Sequence, residues 1–217
     1  MFFKIVHTRN FLLYSLGQAI SDLGSLMTYF ALSLYVLKET NSATMFAFIL
    51  SIKYIPQIIL YPFAGVFIDR VSRKKVMIFF DGMRGIALSL VLLLVVWNGR
   101  LSFPLVYFII IFTAFSEVFY NLATNSIMPF LFKEDDLVLA NSLSAWISNL
   151  SLILGPILGT FLYNKIGIVP ILAIDTTTFF IVVGFTMFLK LIENERCLNR
   201  KTKVIQELKQ GVKLITI

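Results

Sequence analysis

Apolar residues fall in long blocks along this chain, and polar residues gather between the blocks instead of alternating within them. Blocks over residues 11–37, 43–68, 76–97, 103–132, 139–163 and 169–191 each reach the roughly 20 residues a helix needs to cross a bilayer's hydrocarbon core. The separators are short and polar: KETNS, DRVSRKK, NGRLS, KEDD and NKIG. A closed barrel is the other fold that satisfies its backbone in lipid. The blocks lack period-two alternation and are longer than a spanning strand. The pattern predicts an all-α membrane protein with six transmembrane helices.

Composition sharpens this picture. Of 217 residues, 58% are hydrophobic, 22 are Phe and only 14% are charged, which is more apolar surface than so short a soluble chain can bury. A bilayer is therefore the first expected partner. The formal net charge of +7 is not spread over a nucleic-acid-binding face; its bases sit in the short separators and the tail. Cys197 is the one cysteine and His7 the one histidine, so no disulfide framework, multi-Cys metal site or cofactor is expected.

Lysine and arginine also predict an orientation. With the amino terminus in the cytoplasm, Lys4, Arg9, Arg70, Arg73, Lys74, Lys75, Lys133 and seven bases from Lys190 onward lie inside. Only Lys38, Arg100 and Lys165 lie outside, while Lys53 and Arg84 fall within spans. Both ends are thus expected in the cytoplasm and the protein in the cell membrane.

The densest charge cluster is GVFIDRVSRKK, between the second and third blocks. One reading is a topology determinant and nothing more. Its internal order offers another: Gly65 suits close helix approach, and Asp69, Arg70, Arg73 and Lys74 follow it at helical spacing. This order resembles the G-x-x-x-D-R-x-x-R-K loop of the major facilitator superfamily, in the same place between spans two and three. Ser72 stands where that pattern usually has glycine. Within block five, Gly155, Pro156 and Gly159 resemble the G-P-x-x-G core of the superfamily's antiporter signature, with Ser151 and Thr160 replacing flanking glycines. Tight helix packing explains the same residues, and the two readings are compatible. LANSLSAWISNLSLILGPILG and ILAIDTTTFF look like the drug and macrolide efflux branch, to which siderophore exporters are close.

The resemblance implies a major facilitator-type amino-terminal half over residues 1–191, with 192–217 as a cytoplasmic amphipathic linker. It implies a small-molecule substrate, protons as the coupling ion, and a carboxy-terminal half or second six-span chain as partner. It also implies that the charged loop gates the cytoplasmic side, with acidic partners available from Glu134, Asp135 or Asp136.

Ionisable residues inside the blocks are the candidate chemistry, because a charge at mid-bilayer costs about 2.5–3.5 kcal/mol. Ser15, Gln18, Asp22, Ser25 and Tyr29 share one face of span one; Glu117, Asn121, Thr124 and Asn125 share one face of span four. These stripes are expected to line a cavity. A low dielectric disfavours a carboxylate's charged form, so Asp22 and Glu117 are candidate acids for a proton or a cationic substrate. A structural hydrogen bond is the alternative for each. Lys53 is the expected counter-charge to one of them. Asp81 and Arg84 read as a structural pair that extends the loop's network from the cytoplasmic end of span three. Asp175 reads as structural, near the outer end of span six.

Secondary active export of a hydrophobic or cationic drug is the leading expectation. The alternatives are a non-transporting half-unit, as a truncated or regulatory membrane partner, and a siderophore or metabolite exporter. The sequence offers no Ser/His pair in the spans and no P-loop, so it gives no reason to expect an enzyme.

Overall fold

The computed structural model describes residues 9–191; the expected linker over 192–217 lies outside that range, as do Lys4 and His7. The described residues fold as α1 (Arg9–Thr40), α2 (Ala43–Ile52), α3 (Tyr54–Ile68), α4 (Arg73–Asn98), α5 (Phe103–Leu131), α6 (Glu134–Ile166) and α7 (Ile168–Phe188). Taken together, α2 and α3 make one span, so 6 helical segments are long and apolar enough to cross a membrane.

Local chemistry sets the boundaries. Gly99 follows α4 at φ 70° and Gly167 joins α6 to α7 at φ 78°, left-handed conformations that glycine adopts without a Cβ clash. Ser42 caps α2 by accepting a hydrogen bond from the Met45 amide. The one interruption the block pattern does not predict is at Lys53, between α2 and α3. Pro56 explains it: proline has no N–H to return to the Ile52 carbonyl, and its ring crowds that carbonyl, so the helix restarts with Pro56 in its first turn. At the start of α6, Glu134, Asp135 and Asp136 form the first turn and not a separate loop, where carboxylates oppose the helix dipole favourably.

α1 lies against α6 and α7, α4 against α7 and α5, and α3 against α5. Two apolar clusters form the core. One, near the charged loop, holds Phe11, Tyr14, Ile68, Phe80, Phe132 and Leu189. The other, toward the opposite end, holds Leu32, Val36, Leu88, Ile109 and Leu172. Between them lies a polar layer of buried Gln18, Ser25, Thr28, Asp81, Arg84, Ser116 and Asp175. The outer faces are apolar: Ile58, Phe63, Leu93, Trp97 and Ile153 are all exposed, as lipid-facing residues are. Only 6% of the second span and 17% of the fifth is buried, against 39–56% of the others. These two spans therefore carry the largest uncovered faces.

Candidate functional site

The charged loop is an inter-helix clamp. Lys74 Nζ, at the start of α4, donates to the carbonyls of Met187 (2.9 Å) and Leu189 (2.8 Å), where α7 ends. Terminal helix carbonyls lack intrahelical donors, and a cation there also meets the negative end of the dipole. Alongside, Asn10 donates to the Lys190 carbonyl and accepts from the Lys190 amide, tying the start of α1 to the same segment. Arg73 lies 3.6 Å from Asp69, with its guanidinium 4.7 Å from the centroid of the Phe130 ring. Asp69 and Arg70 are exposed.

Two expectations for this loop are corrected. Its one ion pair among the described residues is internal, Arg73 with Asp69, and not a bridge to Asp135 or Asp136. Those acids are drawn into the first turn of α6 instead. Gly65 does not mediate close helix approach here either, since a Cβ added to it meets nothing within 4 Å. It faces outward from α3, the least buried span.

Gly155 and Gly159 do mediate close approach. A Cβ on Gly155 would stand 2.5 Å from Leu26 Cβ, and one on Gly159 would stand 2.7 Å from the Met27 carbonyl oxygen. Helix α6 continues through Pro156, whose carbonyl accepts a hydrogen bond from Thr160. Ala140, Ser144, Ser151, Gly155, Gly159 and Tyr163 are its buried residues, one small-residue stripe laid against α1.

That stripe also receives the first half of the α1 polar face. Ser144 Oγ donates to Gln18 Oε1 (2.7 Å), Gln18 Nε2 donates to Ser148 Oγ (3.0 Å), and Ser148 Oγ donates to Asp22 Oδ2 (2.9 Å). Gln18 is buried and Asp22 half-buried, so these residues are engaged with α6 and do not simply line open space. The serines of α6 were missed in the sequence; their 144, 148, 151 spacing, continuing into Gly155 and Gly159, is the signal that marks the facing surface.

Further along α1, the Tyr29 hydroxyl donates to Glu117 Oε2 (3.1 Å) and lies 3.1 Å from Thr113 Oγ1. Glu117 and Asn121 are half-buried, and Asn121 lies beside the Tyr61 hydroxyl of α3. Lys53 pairs with neither expected acid. Its ammonium sits 4.8 Å from the Tyr29 ring centroid and 5.1 Å from that of Tyr54, held by aromatic faces at the Pro56-induced break. Lys53 thus reaches Glu117 through Tyr29 and not by direct contact.

The largest correction concerns Asp81, Arg84 and Asp175. Asp81 and Arg84 form an ion pair with side chains 0% and 1% exposed. Arg84 lies about 16 Å along the α4 axis from its start, at a rise of about 1.5 Å per residue, so the pair belongs to the mid-bundle layer and not to the loop. The Arg84 guanidinium stands over the Tyr120 ring of α5 (4.9 Å) and the Phe179 ring of α7 (4.6 Å). Asp175 is buried in the same layer, one of its oxygens only 2.6 Å from where a Cβ on Gly24 would lie. Hydropathy alone could not reveal this convergence, which depends on helix rotation.

A six-span bundle with buried acids and a basic residue at mid-depth, tied by a charged loop between its second and third spans, defines a membrane transport scaffold. The family profile described as Major Facilitator Superfamily matches residues 14–213, and the chain belongs to that family. It is 29% identical over 159 residues to macrolide efflux protein A of Streptococcus pyogenes, covering 73% of this chain and 39% of the relative. It is 28% identical over 212 residues to BacE of Bacillus subtilis (strain 168), provisionally named a bacilysin exporter, covering 94% of this chain and 50% of the relative. The MFS-type transporter YkuC of Bacillus subtilis (strain 168) is 26% identical over 178 residues, with 82% and 41% covered. The chain spans about half the length, or less, of the curated relatives it matches. Family membership and the relatives' names point to transport as the class to which the fold belongs.

Proposed function

We propose that this chain is the amino-terminal six-span half (residues 1–191, with 192–217 as linker) of a secondary active exporter. In this reading it drives a hydrophobic or cationic drug-like compound out of the cell in exchange for protons. Both ends lie in the cytoplasm and the protein resides in the cell membrane, as the lysine and arginine distribution favours. The observation that carries the reading is the mid-bundle layer. Asp22 and Glu117 stand at its half-buried edge, each held by neutral hydroxyls from another span and neither in an ion pair among the described residues. A carboxyl in that setting can take up and return a proton as access alternates. The macrolide and bacilysin in two relatives' names put antibiotic-like compounds first among substrates to assay.

Everted membrane vesicles carrying the native gene product test this directly. Acidifying the lumen should drive uptake of a macrolide probe, and Asp22→Asn or Glu117→Gln should reduce it at least tenfold with the protein still present in the membrane. Unchanged uptake in both variants sinks the roles given to these acids.

The uncovered second and fifth spans favour a second reading, in which this chain is a half-unit docked against another six-span chain without transporting by itself. Gly65 and the exposed Asp69 and Arg70 would then meet that partner. Intact mass of the protein from its native cell separates the two: a value near twice that of this chain supports a fused exporter, a value near its own supports the half-unit.

A further inference from the structure

We infer that Arg84 is a counter-ion shared by the carboxyls of four helices, not the exclusive partner of Asp81. This assignment deepens the transport reading above, yet charge sharing can be measured without transport. Four helices that meet in the mid-bundle layer each carry an acid there. Asp81 lies on its own helix, α4. On α7, the Phe179 ring under the guanidinium is four residues from Asp175, hence on the same face. On α5, the Tyr120 ring is three residues from Glu117, again on the same face. On α1, the Tyr29 hydroxyl donates to that same Glu117, and Asp22 lies two helical turns before Tyr29 on the same face. Lys53, the other base within the spans, is turned toward the Tyr29 and Tyr54 rings.

The pair with Asp81 also leaves capacity unused. Arg84 Nε and Asp81 Oδ2 are buried with no hydrogen-bond partner. A closed bidentate pair would engage more of the guanidinium fork, whose five donors match a carboxylate's two oxygens. Instead one guanidinium lies over two aromatic rings with its Nε unpaired, in the layer that also holds the other acids. Arg84 is therefore a positioning residue. Its charge decides how many of Asp22, Asp81, Glu117 and Asp175 can be ionised together, which couples acids on four helices.

The test uses the full chain reconstituted in lipid and compares Asp81→Asn, Arg84→Gln, Arg84→Lys and the double variant Asp81→Asn/Arg84→Gln. Unfolding temperature and the infrared stretching band of protonated carboxyls at pH 7 are the readouts. If Arg84 is shared, Asp81→Asn costs less than about half the unfolding temperature lost in Arg84→Gln, because the guanidinium finds another acid. Arg84→Gln should enlarge the protonated-carboxyl band by more than Asp81 alone can supply, so the enlargement persists in the double variant, and Arg84→Lys should keep the band near its original size. An exclusive pair gives the opposite: both single variants lose stability equally, and the double variant restores the original unfolding temperature and band. If Arg84→Gln does not accumulate, Asp81→Asn and Arg84→Lys still decide the matter. A large loss in Asp81→Asn, or a band in Arg84→Lys that grows despite the retained charge, overturns the inference. Absence of macrolide transport by the unaltered protein, with sharing intact, would count against the transport reading alone.

Discussion

Lys74 Nζ donates to the Leu189 carbonyl across 2.8 Å, joining residues 115 positions apart in the chain. Of the bases in the charged loop, this one spans helices by direct hydrogen bonds to backbone. It also bonds the Met187 carbonyl, so one ammonium satisfies two of the acceptors left open where α7 ends. The loop therefore fixes the spacing of α4 and α7 at the end where Asn10 fixes that of α1 and α7.

Replacing Lys74 by Met keeps the aliphatic stem and removes the donors. Partial exposure limits the cost, and about 1 kcal/mol of stability should be lost. Arg70→Met, on the exposed side of the same loop, should lose almost nothing. Thermal unfolding of the two variants in the same lipid distinguishes them; equal losses would mean the loop acts through its net charge, not through the clamp.

The glycines offer an internally controlled comparison. Gly155→Ala places a methyl 2.5 Å from Leu26 Cβ, with Leu26 backbone at 3.4 Å, so α1 and α6 must separate. Overpacking of this kind costs about 1–3 kcal/mol. Gly82→Ala, inside α4 with nothing within 4 Å, should be neutral or stabilising by about 0.5–1 kcal/mol through helix propensity. A Gly155→Ala protein as stable as the original would show that the α1–α6 contact tolerates spreading.

How far the sequence reveals this architecture depends on which physical signal is local. Span number and ends were legible because hydropathy block length is a local property: the block over 43–68 has the bounds of its helical span, and the block over 103–132 ends one residue beyond α5. The Lys53 break was also local, since Pro56 sits in the sequence, but a continuous apolar run masked it. What could not be read is rotation about each helix axis. Asp22 was placed on a cavity-lining face, yet it accepts a hydrogen bond from Ser148 of α6. Lys53 was given an acid and found two rings. Arg84 reads from the sequence as an extension of the loop's network near the cytoplasmic end of span three, although its depth along α4 follows from counting residues; its neighbours on α5 and α7 do not.

Tyr29 is the bridge between the Lys53 break and Glu117, which gives its hydroxyl a consequence beyond packing. Tyr29→Phe preserves the ring beneath the Lys53 ammonium and deletes the donor to Glu117. The expected stability loss is about 1 kcal/mol, the net worth of one hydrogen bond. Under the proposed exchange mechanism, proton-driven efflux should fall several-fold while the amount of protein in the membrane stays within about twofold of the original. Efflux at the original rate would separate Glu117 from Tyr29 in function.

Orientation rests on charge counting and has a direct test. Lys75 and Arg100 are exposed residues at opposite ends of α4 and its following turn, so they must emerge on opposite sides of any bilayer the helix crosses. The chain's 1 Cys can be removed as Cys197→Ser to give a thiol-free background. Into it, Lys75→Cys and Arg100→Cys are introduced separately. A membrane-impermeant maleimide added to intact cells should label Arg100→Cys and leave Lys75→Cys unreacted until the membrane is opened. The reverse pattern would place the Lys74 clamp, the Asp69–Arg73 pair and the Asn10–Lys190 contact on the outer face. The charged loop could then no longer act at a cytoplasmic gate, and the acids of the mid-bundle layer would have to load protons from the opposite side.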